Sequence, residues 1–149
     1  MTTAAHFFTR LAQTPAVLVT VAATQGSVPR EAGAWMAVFA DVVLGTIGGG
    51  HLEYQAIAHA RDVVLAGKGS HGAMPLRFAL GPSLGQCCGG VVHLQFDAVT
   101  AADLPALRER LAPGGPPVAL FGGGHVGRAL VRLLGTLPFD VTWIDSRDE

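Results

Sequence analysis

Four short segments carry residue types whose spacing could do chemistry. Leu84-Gly85-Gln86-Cys87-Cys88-Gly89-Gly90 sets two adjacent thiols between glycines. Thiolates are soft ligands, suited to metals and to sulfur chemistry, while glycines expose backbone and admit close approach of a ligand. The plainer reading is a pair of buried, inert cysteines, the usual state of a free thiol. A third is a redox couple, because adjacent cysteines close a strained and easily reduced ring. Gly26-Ser27-Val28-Pro29-Arg30-Glu31-Ala32-Gly33-Ala34 offers Arg30 as a bidentate donor to an anion, against a connection whose charges are simply solvated.

The other two segments are glycine turns. Gly45-Thr46-Ile47-Gly48-Gly49-Gly50-His51-Leu52-Glu53 sits between a strand and a helix, so Gly48, Gly49 and Gly50 could bring amide N–H groups to an anion at the helix start. A sterically required turn explains them equally well, and His51 alone reads as a surface or capping residue. Gly122-Gly123-Gly124-His125-Val126-Gly127 matches G-x-G-x-x-G directly after the apolar run Val118–Phe121. Here Gly122 permits the turn, Gly124 lets a phosphate approach the backbone at His125, and Gly127 lets the helix pack on the strand. Asp145 follows 18 residues beyond Gly127 at the end of a second apolar run, where it could accept from a ribose hydroxyl. Arg147 lies where a 2′-phosphate would be met, so NAD and NADP both stay open.

The periodicity around these segments predicts the elements that hold them. Ala4–Leu11 reads as an amphipathic helix and Ala16–Ala23 as a buried strand. Trp35–Phe39 and Val42–Ile47 read as a hairpin turning at Ala40 and Asp41. His51–Ala66 has apolar residues at helical spacing, with Glu53, Arg61 and Asp62 facing away. Met74–Leu80 and Val91–Phe96 read as strands, and Asp103–Leu111 as a connecting helix before Pro113–Pro117. The fold class is α/β. An α+β domain with a mixed sheet spans residues 1–98, a linker with a short helix spans 99–117, and residues 118–149 begin a Rossmann-type domain with its first βαβ unit.

Composition narrows the functions. Of 149 residues, half are hydrophobic and only 14% charged, which supports a packed core and excludes disorder. A net charge of −1 provides no basic field for nucleic acid. No apolar stretch approaches the roughly 20 residues that span a bilayer, and no secretory signal is recognisable, so the expected compartment is the cytoplasm. The two cysteines are neighbours, so there is no disulfide framework.

Taken in order, GSVPREAGA, GTIGGGHLE, LGQCCGG, LFGGGHVGRAL and VTWIDSR resemble the successive signatures of the XdhC/CoxI family, accessory proteins of xanthine dehydrogenase and related molybdenum hydroxylases. The resemblance runs from about Gly26 to the C-terminus. It implies a maturation factor without turnover of its own, which binds the molybdenum cofactor (molybdopterin), protects it while its terminal sulfur is installed, and delivers it to the apo-enzyme. Gln86, Cys87 and Cys88 then become the residues that meet the cofactor, the two thiols near its molybdenum, and Gly122, Gly124 and Gly127 the nucleotide-turn glycines. The implied partner is a molybdenum hydroxylase apo-enzyme of the xanthine dehydrogenase type, with room for a cysteine desulfurase and for a homodimer. Family members complete the Rossmann domain with many further residues, so the chain reads as a fragment or a truncated product. The alternative, drawn from the glycine turn and Asp145, is an NAD(P)-binding oxidoreductase or nucleotide-sensing regulator.

Overall fold

The computed structural model describes residues 3–65, 74–81, 89–111, 115–137 and 139–145. It divides into two compact units: Phe7–Leu104, and Pro105–Glu149 together with Met1–His6.

The larger unit is built on five strands: β1 (Ala16–Gln25), β2 (Trp35–Val38), β3 (Val43–Gly45), β4 (Leu76–Ala79) and β5 (Val91–Val99), in the order β3-β2-β1-β5-β4. The Val and Thr residues of β1 and the alternating burial of β5 suit extended backbone, and these two strands form the longest pairing, from Ala16↔Val99 to Gln25↔Val91 with a bulge at Val21/Ala23. Among the described residues, every pairing in this sheet is antiparallel. The sheet is therefore not mixed as expected from the sequence. The helix α2 (Gly50–Leu65) between β3 and β4 does return the chain in the same direction. It does so to the opposite edge, so β3 and β4 never become neighbours and no parallel pair forms.

Alternation along the strands sorts the core. Val17, Val19 and Val21 of β1, Met36 and Val38 of β2, and Val92, Leu94 and Phe96 of β5 share one face with Leu52, Ala56 and Ala60 of α2. The small alanines bring α2 close to the sheet, and His59 meets the edge of the Phe96 ring at 4.7 Å between centroids. On the other face, α1 (Thr3–Leu11) buries Phe7 and Leu11. The Phe7 ring lies 5.3 Å from Trp35 and 6.2 Å from Phe39. The β2–β3 hairpin turns at Ala40 and Asp41, with Phe39 N–H donating to the Val42 carbonyl at 2.9 Å. Asp41 is fastened from α1 by an ion pair to Arg10, whose guanidinium also stands over the Phe39 ring.

After β5, Thr100 and Asp103 form a capping box around a 3-10 turn at Ala101–Asp103, which leads into α3 (Leu104–Arg110). The smaller unit contains β6 (Pro117–Phe121), α4 (His125–Leu134) and β7 (Asp140–Ile144). β6 and β7 pair in parallel, from Pro117↔Asp140 to Phe121↔Ile144, so this segment is a β–α–β unit. A two-stranded sheet carrying one helix has little to cover its apolar residues. Phe121, Val126, Leu133, Trp143 and Ile144 are accordingly exposed.

Candidate functional site

Three segments far apart in sequence meet at one end of the antiparallel sheet. Gln25 pairs with Val91, which brings the chain leaving β1 beside the chain entering β5. The approach is so close that a Cβ on Gly90 would stand 2.2 Å from the Ser27 carbonyl oxygen and 2.7 Å from that of Gln25. A Cβ on Gly26, at φ +72°, would likewise stand 3.3 Å from the Gly90 Cα. The first glycine loop and the Gly89–Gly90 end of the cysteine loop thus share one backbone seam. A similar contact joins the second glycine turn: a Cβ on Gly48 would fall 2.4 Å from Pro29 Cγ and 3.7 Å from Arg30 Cγ. The side of Gly49 away from its backbone is open, with nothing within 4 Å of a Cβ built there, and the same holds at Gly89.

Gly48, Gly49 and Gly50 run at φ +127°, +78° and +63°, a succession that side chains rarely adopt. What fixes it is Glu53. The Ile47 and Gly49 N–H groups each donate to Glu53 Oε1 at 2.9 Å, and the Thr46 hydroxyl donates to the same oxygen. Gly48 N–H in turn donates to Thr46 Oγ1 at 3.1 Å. The anion at this helix start is therefore one of the chain's own carboxylates. Glu53 is half-buried, where the helical pattern placed it on the outward face. Periodicity missed it because the residue works along the helix axis. The readable signal was an acid three residues after a glycine run, the reach-back half of a capping box.

Partial burial pushes the Glu53 carboxyl up. The Thr46 hydroxyl and the Gly49, Ile47 and Gly48 amides outweigh that and hold it below the ordinary glutamate value. Arg30 stands half-buried at the junction with Gly48 and pairs with exposed Glu31 at 3.6 Å. Gln86, Cys87 and Cys88 lie outside the described residues, as do Arg147 and the glycines after α2. Among the described residues, no three His, Cys, Asp or Glu side chains are grouped to share a metal ion. No described helix is long and apolar enough to cross a membrane.

The turn in the smaller unit is a separate site. Gly122 has φ +102°, and its N–H donates to the Ile144 carbonyl at 2.9 Å, which sets Asp145 beside the turn. Its carbonyl accepts from Trp143 Nε1 at 3.1 Å, while Arg128 Nε donates to the Gly123 carbonyl at 3.2 Å. Gly124 is the N-cap of α4, with extended backbone and no side chain of its own to cap the helix start. Gly127 is buried, and a Cβ there would lie 2.0 Å from the Gly122 oxygen. His125, the first helical residue, and Asp145 are both exposed.

Comparison with known proteins follows the first of these clusters. Residues 10–75, which hold Arg30, the Gly48–Gly50 turn and Glu53, match the model of the XdhC and CoxI family. This segment is of the XdhC and CoxI family. The chain is 31% identical over 134 residues to the uncharacterised protein YqeB of Escherichia coli K12, across 88% of the chain and 22% of YqeB. A crystal structure from Bacillus halodurans, described as a xanthine dehydrogenase, superposes with a TM-score of 0.58 at 23% identity. That match covers 76% of this chain and 36% of the other, and it shows a shared fold. The chain thus spans about a fifth of the curated relative's length and about a third of the solved chain's.

Proposed function

We propose that this chain is the loop-bearing part of an accessory factor that binds the molybdenum cofactor and hands it to a hydroxylase of the xanthine dehydrogenase type. The observation that carries the reading is the convergence of the Arg30 loop, the Gly48–Gly50 turn and the Gly89–Gly90 end of the cysteine loop on one sheet end. Membership of the matched segment in the XdhC and CoxI family supports it.

The residues at this cluster fit such a group. Molybdopterin supplies a phosphate, a dithiolene and a metal with oxo and sulfido ligands. Arg30 offers a planar cation for the phosphate, and the open sides of Gly49 and Gly89 leave backbone accessible to a bulky ligand. Because Glu53 already takes the Ile47 and Gly49 amides, the group this cluster offers an anion is the Arg30 guanidinium, which would exchange its 3.6 Å pairing with exposed Glu31 for the ligand. Cys87 and Cys88 directly precede Gly89 in the chain and would offer soft donors, with Gln86 as a neighbouring amide. Release should be coupled to docking on the hydroxylase, since a carrier must also let go.

The test is to express the full chain in a molybdenum-replete host and quantify co-purified molybdopterin by mass spectrometry. Cys87→Ala and Cys88→Ala should lower retention, and unchanged retention would remove the thiols from the mechanism. Arg30→Ala should lower it as well.

A second reading has its own observation. The glycine-capped start of α4, with Gly122 at positive φ and Asp145 alongside, suits the phosphate and ribose of NAD(P), as in a Rossmann-type oxidoreductase or sensor. It expects NAD(P) binding by the full chain that Asp145→Ala abolishes.

A further inference from the structure

We infer that Glu53 is a positioning residue for the loop cluster: it buckles the 46–50 turn and, through Gly48, holds the Pro29–Arg30 corner in place. The inference rests on the cofactor-site reading above only where ligand binding is concerned; the buckle is a property of the chain.

Three consecutive glycines have more backbone freedom than any other tripeptide, and ordering them is correspondingly unfavourable. Left to itself, Gly48-Gly49-Gly50 would sample many conformations. In the structure the three N–H groups from Ile47 to Gly49 are all engaged by one device. Ile47 and Gly49 donate directly to Glu53 Oε1, and Gly48 donates to the Thr46 hydroxyl oxygen, whose own proton goes to Glu53. A carboxylate accepting several donors forms charge-assisted bonds about twice as strong as neutral ones. Glu53 is itself anchored, one residue after fully buried Leu52 in the first turn of α2. The helix therefore sets the carboxylate, and the carboxylate sets the turn.

The turn then sets its neighbour. Gly48 fits so tightly against the Pro29 ring that not even a methyl group could be added, and Arg30 Cγ is the next atom out. Pro29 and Arg30 continue from Gly26 and Ser27, the residues seamed to Gly90. A displacement at residue 48 would accordingly be felt at Arg30 and, beyond it, at the end of the cysteine loop.

The experiment compares 15N-labelled full-length wild type, Glu53→Gln, Glu53→Ala and Thr46→Val by amide spectra, with no ligand present. Glutamine keeps an acceptor oxygen, so Glu53→Gln should move mainly the Ile47 and Gly49 amides and leave those of Arg30, Ser27 and Gly90 in place. Glu53→Ala should move all five while amides of the distant β4 strand stay fixed. Thr46→Val, which keeps the carboxylate but drops the bridge to Gly48, should move Gly48 and Arg30 and decides the matter if Glu53→Ala does not fold. Shifts confined to residues 46–53 in both variants would overturn the proposal. A second arm measures molybdopterin retained by Arg30→Ala, Glu53→Ala and the double variant. Each single change should reduce retention about tenfold, and the double no further, since both act on one corner. Additive losses would overturn positioning through Arg30. If wild type retains no molybdopterin, the cofactor reading fails, and the amide shifts still decide the role of Glu53.

Discussion

Gly90 is pressed against the Ser27 carbonyl oxygen, at a separation a Cβ would reduce to 2.2 Å, and against that of Gln25. Both neighbours are backbone, so neither can rotate aside as a side chain would. Gly90→Ala should therefore destabilise the larger unit by about 1–3 kcal/mol, the usual range for forcing a methyl into filled space. Gly89→Ala, one residue earlier with nothing within 4 Å of its Cβ, should stay within about 0.5 kcal/mol of wild type. Urea unfolding of the two variants side by side checks the difference, and equal losses would mean the seam is not tight.

On the other sheet face, Phe7 is fully buried and meets Phe8, Trp35 and Phe39. With Leu11 and the Arg10–Asp41 pair it holds α1 to the sheet, and truncating so large a buried ring leaves a cavity. Phe7→Ala should cost about 3–5 kcal/mol. Exposed Tyr54 on α2 provides the control, since Tyr54→Ala should change the urea midpoint little.

The elements were legible in the sequence because each depends on local periodicity. The strand at Ala16, the hairpin around Ala40–Asp41, the long helix after Gly50 and the β–α–β unit around Gly122–Gly127 all appear where alternation, glycine and proline placed them. Sheet order was not legible. Whether α2 returns the chain beside β3 or to the far edge depends on which strand β1 accepts on its second side, a long-range choice that no local spacing encodes. For the same reason nothing in the local pattern signals that Gly48 meets Pro29 or that Gly90 meets Ser27, contacts spanning 19 and 63 residues. Glu53 was misread for a different reason: its outward helical position and its reach back to Gly49 are compatible, and periodicity reports only the first.

Glu53 also gives the protein a specific acid response. Its carboxyl is pulled below the ordinary value of 4.5 in the folded chain, burial opposing and the Thr46, Gly49, Ile47 and Gly48 donors prevailing. A group whose pKa is depressed on folding stabilises fully above its unfolded value, and that contribution is lost as pH falls through the folded value. Wild type should thus lose stability on acidification below about pH 4.5 more steeply than Glu53→Gln, which has no proton to gain there. Asp41, lowered by its hydrogen bond to Arg10, titrates in both proteins and cancels in the comparison. Parallel pH profiles of the thermal midpoint would show that Glu53 is not ionised against those amides.

The smaller unit separates packing from binding at neighbouring glycines. Gly127 is buried, 2.0 Å from the Gly122 oxygen if given a Cβ, so Gly127→Ala must push α4 off the strand ends. Faster hydrogen exchange of the Val118–Phe121 and Val141–Ile144 amides should follow. Gly124 has an extended backbone that any residue adopts and open space around its Cβ. Gly124→Ala should leave those exchange rates unchanged, yet its methyl would occupy the approach to the His125 amide at the helix start. If the turn holds a phosphate, Gly124→Ala abolishes NAD(P) binding with the fold intact, and Asp145→Ala does the same from the ribose side. If both variants bind as wild type does, or if wild type does not bind at all, the glycine turn serves only the packing of α4 on β6 and β7.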